Sequence, residues 1–200
     1  MKCLMCGKDS NESSSIYEYL FYDDLLCSNC RREWIRNKKD IYLNNIKVKS
    51  SWIYNDSFKT CLIQYKECYD EALKDVFLYP VLKDIRKYLK GYTLLLMPST
   101  KEKLNERGFN HLKYMFQCLK LPMLDPFITK ESQKGKKLEE RKKASKSICL
   151  KENVRIPKKI ALVDDVFTTG STLTGALNAL NLKNHKIKIY TIARVPFLDR

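Results

Sequence analysis

No apolar run in this chain of 200 residues is longer than about four residues. A helix that crosses a bilayer needs ~18, so the pattern excludes a membrane span. Nothing resembles the charged, apolar and small-residue order of a secretory leader, and the expected location is the cytoplasm. Acid is also scarce, with 23 Asp and Glu against 38 Lys and Arg, for a formal net charge of +15. That excess favours polyanionic partners at low salt, nucleic acid foremost. A lysine-rich, solubilising surface is the other reading, because Lys outnumbers Arg. Internal repeats are missing, which leaves no basis for a repeat architecture. What is present suffices for a folded core: 44% of residues are hydrophobic and 11% aromatic, in a chain long enough for one domain with a small attachment.

The cysteines define the attachment. Cys3-Leu-Met-Cys6 and Cys27-Ser-Asn-Cys30 are two Cys-x-x-Cys knuckles twenty residues apart. Each presents two sulfurs to one tetrahedral ion, so the pattern points to a structural Zn²⁺ site. Gly7 suits the tight turn after the first knuckle, and the aromatic stretch Tyr17 to Tyr22 reads as a hairpin between the two. A redox knuckle is the rival, but two in tandem without the strand-helix context of a thioredoxin argue against it. Cys61, Cys68, Cys118 and Cys149 have no paired spacing and read as small hydrophobes or incidental thiols.

Residues 160 to 173 carry the densest chemistry. Ile160 to Val163 form an apolar run short enough for a buried parallel strand, and they end in Asp164 and Asp165. Thr168, Thr169, Gly170, Ser171 and Thr172 make a small-residue turn, and Leu173, Ala176, Leu177 and Leu180 then recur at helical spacing. A turn at a helix N-terminus offers unpaired N–H groups to phosphate. Carboxylates beside it repel phosphate, so the ligand must also offer hydroxyls or share a cation; a sugar phosphate does both. An ordinary polar turn between strand and helix is the bland alternative, and its weak point is the cost of two adjacent carboxylates after a buried strand.

A coarse order of elements fits this placement. Residues 31 to 45 read as a short helix followed by a connector, Lys47 to Tyr54 as a strand, and the stretch from Asp56 as a helix capped by Asp56 or Ser57. Leu73, Val76, Phe77, Val81, Leu82 and Ile85 predict a second helical stretch, stopped by Gly91. Tyr92 to Met97 and Ile187 to Arg194 read as strands, and Asn110 to Leu119 as a helix. Strands alternating with helices predict an α/β fold with a mostly parallel sheet flanked by helices. In such a sheet the loop Ser99-Thr100-Lys101, followed by Arg107, faces the same crevice as the acid pair. Arg107 suits a pyrophosphate because it donates two parallel hydrogen bonds.

The acid pair followed by Thr-Thr-Gly-x-Thr resembles the signature of type I phosphoribosyltransferases, whose ligand is phosphoribosyl pyrophosphate (PRPP) with Mg²⁺. The resemblance implies ribose hydroxyls on Asp164 and Asp165, and the 5′-phosphate on Thr168, Thr169, Gly170, Ser171 and Thr172. Together with Arg107-Gly-Phe-Asn110 and the N-terminal knuckles, the motif is similar to the ComF family of natural transformation. It implies a zinc ribbon over residues 1–45 and a phosphoribosyltransferase-like domain over 46–200. It also implies a companion helicase-like ATPase, ComFA. Lys66, Gln133 and Arg141 match the family pattern; Leu96, Lys136 and Ala144 depart from it.

From Lys130 to Lys151 there are nine Lys or Arg against three Glu. In PRPP enzymes a mobile loop of this kind covers the reactive carbon. A lysine-rich one suits a phosphate backbone, so Lys134, Lys136, Lys137, Arg141, Lys142 and Lys143 are the expected nucleic-acid contacts, with a solvated hairpin as the alternative. Two functions stand at this point. One is a competence protein that binds single-stranded DNA and PRPP during DNA uptake. The other is an active phosphoribosyltransferase with an unidentified acceptor, although no base-recognition hood is visible.

Overall fold

The computed structural model describes residues 2–9, 24–130, 147–180 and 185–196. A five-residue helix, α1 (Ser28–Arg32), starts inside the second cysteine knuckle. Strand β1 (Ile41–Leu43) then turns through Asn44 and Asn45, with φ of 48° and 62°, into the antiparallel β2 (Ile46–Ile53). Two left-handed residues in a row make a hairpin turn that asparagine tolerates. The sequence predicts a connector here. Three residues carry no readable period, and the partner that stabilises β1 lies across the turn.

The remaining strands build a six-stranded sheet. β2 runs parallel to β8 (Lys186–Arg194), β8 to β7 (Lys159–Phe167), β7 to β3 (Thr93–Leu96) and β3 to β4 (Met123–Leu124). Only β1 is antiparallel, so the mostly parallel sheet flanked by helices is as expected. Ile160, Ala161, Leu162 and Val163 are each fully buried at its centre. Polar groups inside the sheet are paired: Ser50 Oγ lies 2.6 Å from Thr191 Oγ1, and Ser51 Oγ 2.8 Å from the Tyr190 hydroxyl.

Helix α2 (Asp56–Glu67) is capped by Asn55, whose side chain accepts from the Phe58 N–H at 3.0 Å, one residue earlier than the first cap expected. The second helical stretch is broken. Glu71–Asp75 and Tyr79–Val81 are 3₁₀ turns, and only α3 (Leu82–Leu89) is α-helical. Pro80 brings no N–H to a continuous helix, while the apolar spacing serves either geometry. The chain continues through α4 (Lys101–Arg107) and α5 (His111–Phe116), with α6 (Ser171–Leu180) after β7.

Trp34 packs at 4.6 Å from Phe58 and 5.3 Å from Trp52, whose indole N–H donates to the Phe77 carbonyl at 2.9 Å. Burying such rings contributes about 1.5–3 kcal/mol each. Residues on the N-terminal side of the boundary expected at 45, Trp34 and β1 among them, thus share the core and the sheet. Strands β5 (Phe127–Lys130) and β6 (Ser147–Leu150) form a separate antiparallel pair. The basic residues Lys134, Lys136, Lys137, Arg141, Lys142 and Lys143 between them, and the stretch Tyr17 to Tyr22, lie outside the described residues. Among the described residues no helix is long and apolar enough to cross a membrane.

Candidate functional site

Parallel pairing of β3 with β7 brings their carboxyl ends together, and the Met97 N–H donates to the Val163 carbonyl at 3.1 Å. The loop Ser99-Thr100-Lys101 therefore leaves the same sheet edge as Asp164 and Asp165. Strand β7 does not stop at the acids; it continues to Phe167. Alternation along it sends the two carboxylates to opposite faces, Asp164 sharing a face with its neighbour Thr191.

Two helices converge on Asp165, and a third braces them. The Lys66 ammonium, in the last turn of α2, donates to Asp165 Oδ2. His111, at the start of α5, places Nε2 3.3 Å from the same oxygen. Arg107, the last residue of α4, lies 3.2 Å from His111 Nδ1 through one terminal nitrogen, and donates to the Lys66 carbonyl at 2.8 Å and to Glu67 Oε1 at 3.1 Å. Because Arg107 can only donate, His111 Nδ1 must accept and its proton sits on Nε2, facing Asp165. Tyr65 closes the set by donating its hydroxyl to the His111 carbonyl at 2.9 Å.

The charges follow from this packing. Burial raises a carboxyl, yet Asp165 sits far below its ordinary value because Lys66 and then His111 outweigh that effect. Asp164 is held well above its ordinary value, by burial and then by the charge on Asp165. Burial also keeps the His111 imidazole below its ordinary value, against the pull of Asp165. At the carboxyl end of β2 the Tyr54 phenol is raised, first by burial and then by Asp165, so its ring belongs to the same neighbourhood.

Thr168, Thr169, Ser171 and Thr172 are exposed at the start of α6, while Gly170 is buried with φ of +74°. A Cβ on Gly170 would meet Leu43 Cδ1 at 2.9 Å and the Phe167 ring at 3.0 Å. Glycine is therefore required both by conformation and by space. Thr169 Oγ1 accepts from the Ser171 N–H at 3.4 Å, and Thr100 caps α4 by accepting from the Lys103 N–H at 3.4 Å.

Arg107 is buried. Its side chain is 2% exposed, and three of its N–H groups go to Lys66, Glu67 and His111, so it joins α2, α4 and α5. Its charge and spacing suggest a ligand contact; of its internal acceptors, those on Lys66 and Glu67 lie 41 and 40 residues away and leave no local trace, while His111 lies four residues on. His111 was not legible as a site residue, because only the packing of α5 brings it to Asp165.

The four knuckle cysteines converge as well. Their sulfurs all lie within 4.8 Å of one another, with Cys6 and Cys27 at 3.8 Å. Zn–S bonds of about 2.3 Å give a tetrahedron with edges of about 3.8 Å, so the set fits one ion. The Cys3 thiol falls to about 7: burial would raise it, but backbone N–H groups around the knuckle prevail. Burial and the neighbouring thiols raise Cys30. Arg31 ties the site to the core, bonding Asp24 at 2.5 and 2.6 Å and stacking its guanidinium 4.5 Å from the centre of the Trp34 ring.

No family model matches the chain. Over 97% of its length it is 26% identical to competence protein ComFC of Streptococcus pneumoniae, of which it covers 100%. Over 89% of its length it is 28% identical to competence protein ComFC of Bacillus subtilis, covering 70% of that protein. Both of these relatives are competence proteins ComFC, and the likeness spans most of the chain. Among solved structures, orotate phosphoribosyltransferase from Aeropyrum pernix is 15% identical, with 83% of this chain and 90% of that one covered and a TM-score of 0.33. At that score the likeness carries no argument about the site.

Proposed function

We propose that this chain is a competence protein that binds PRPP with Mg²⁺ at the Asp165 crevice and handles single-stranded DNA in the cytoplasm beside a ComFA-like helicase ATPase. The observation that carries the ligand site is the convergence of Lys66 and His111 on Asp165, immediately ahead of a Thr-Thr-Gly-Ser-Thr turn whose hydroxyl-bearing residues are exposed where it opens α6. The competence role rests on the two ComFC relatives.

In this reading Asp165, kept ionised and oriented by its two partners, accepts from a ribose hydroxyl. Asp164, whose carboxyl resists ionisation, accepts from or donates to the second hydroxyl. The N–H groups and hydroxyls from Thr168 to Thr172 hold the 5′-phosphate. Ser99, Thr100 and Lys101 meet the pyrophosphate, and Mg²⁺ offsets its charge. Arg107, expected on the pyrophosphate, also positions Lys66 and His111. Cys3, Cys6, Cys27 and Cys30 hold a structural Zn²⁺ in a ribbon preceding the ligand-binding domain. The residues from Lys134 to Lys143 supply basic contacts to a nucleic-acid strand.

Thermal unfolding with and without PRPP tests the site. The melting temperature of the wild type should rise with PRPP once its concentration exceeds Kd. Asp165→Asn and Thr169→Val should fold and lose that rise. An undiminished rise in both variants would put the ligand elsewhere. Incubation with PRPP and common nucleobases separates binding from transfer: release of pyrophosphate would mark an active transferase.

A further inference from the structure

The amino end of the same sheet gathers lysine. Lys159 opens β7 and lies beside Lys186, which opens β8; Lys188 follows two residues on, on the same face. Register also puts Lys49 beside Tyr190, the next residue of β8 on that face, so all four lysines share it. Helix α3 lays Tyr88 against them. The Lys49 and Lys188 ammoniums lie 4.6 and 4.4 Å from the centre of that one ring, and Lys188 is also 4.2 Å from the centre of Tyr92. Among the described residues no carboxylate pairs with any of the four. The nearby acid Asp40 is taken by Lys47, at 2.5 Å.

Two ammoniums on one ring and two more in adjacent strands repel each other, and an anion relieves that repulsion. Lys188 shows the strain: burial and then Lys49 lower its ammonium below the ordinary value. Beside the lysines, Tyr42 stands 67% exposed on the face it shares with its cross-strand neighbour Lys47. An exposed ring next to a row of cations suits unpaired bases on a phosphate backbone, since base stacking needs faces that a duplex keeps covered. Asp165 lies six residues along β7 from Lys159, about 20 Å at strand rise.

We propose that this lysine face, with Tyr42, is a docking surface for single-stranded nucleic acid, separate from the crevice at the opposite edge. The inference rests on the nucleic-acid part of the proposed function and is independent of the PRPP part.

Binding of a fluorescent oligothymidylate, measured by anisotropy over a range of salt, tests it. The triple variant Lys49→Gln, Lys159→Gln, Lys186→Gln should bind about tenfold more weakly. It should also flatten the slope of log K against log salt by about 2, at roughly 0.7 per phosphate contact. Tyr42→Ala should lower affinity about tenfold and leave the slope unchanged, as loss of one stacked base does. The control triple Lys59→Gln, Lys103→Gln, Lys113→Gln removes the same charge from exposed positions on α2, α4 and α5 and should do less. Equal weakening by the two triples would reduce the effect to net charge and overturn the surface; so would no weakening by the first. Displacement of the strand by inorganic phosphate at fixed ionic strength, or tighter binding of duplex, would overturn it as a single-strand site. Wild-type protein that binds no oligonucleotide removes the nucleic-acid reading itself, while the PRPP-dependent melting shift reports separately on the crevice.

Discussion

Gly170→Ala should lower stability by about 2–3 kcal/mol, from two sources. An alanine in the left-handed region costs about 1–2 kcal/mol. The added Cβ would stand 2.9 Å from Leu43 Cδ1 and 3.0 and 3.1 Å from the Phe167 ring. Leu43 is the last residue of a three-residue edge strand and its methyl can retreat, so overpacking adds only about 1 kcal/mol, the low end of its range. In a chain of this size each kcal/mol moves the melting temperature by about 2–4 °C. Thermal unfolding followed by circular dichroism should therefore show a drop of roughly 4–12 °C. Gly175→Ala is the internal control. It sits in α6 at negative φ, where alanine gains about 1 kcal/mol of helix propensity, and its Cβ would meet Ile148 Cδ1 at 3.3 Å, a contact relieved by a few tenths of an ångström. Its melting temperature should stay close to that of the wild type. If Gly170→Ala melts no lower than Gly175→Ala, the turn is not held by Leu43 and Phe167 as described.

Other outcomes follow from the same geometry. Burial holds His111 low, so between its folded value and about 6.5 the unfolded chain binds more protons. The stability tied to neutral His111 is full above that pH and is lost as pH falls towards the folded value. Urea midpoints should drop between about pH 7.5 and about pH 5.5, more steeply in the wild type than in His111→Gln. Lys66→Met leaves Asp165 with His111 alone and should cost about 3 kcal/mol in urea unfolding. Adding Asp165→Asn should recover much of that loss, and a double-mutant cycle measures the coupling. Elemental analysis should find one zinc per chain. Cys27→Ser should abolish it and raise hydrogen exchange around the two knuckles and α1, while amides of β7 and β8 stay protected.

The local chemistry of the fold was readable where one residue decides one event. The acid pair at the end of a buried run, Gly170 in the turn and the spacing of the four cysteines each carry a physical requirement that survives without context. Cap positions were readable to within a residue or two, since Asn55, Asp56 and Ser57 all have capping side chains. Strand β1 was not readable, because Ile41-Tyr42-Leu43 gains its stability from β2. The Asp165 network was readable on one side only. Asp165 announces itself, but Lys66 lies 99 residues away, and His111 reaches the same oxygen through the packing of a different helix. Arg107 shows the converse: its charge suggests a ligand, and its environment also makes it a brace.

Calorimetric titration of PRPP into the zinc-loaded protein with Mg²⁺ tests the account of the crevice most directly. One ligand should bind per chain, with Asp165→Asn lowering affinity at least about tenfold, the loss of one charge-assisted hydrogen bond. No heat of binding to the wild type, or equal affinity in Asp165→Asn, would contradict it.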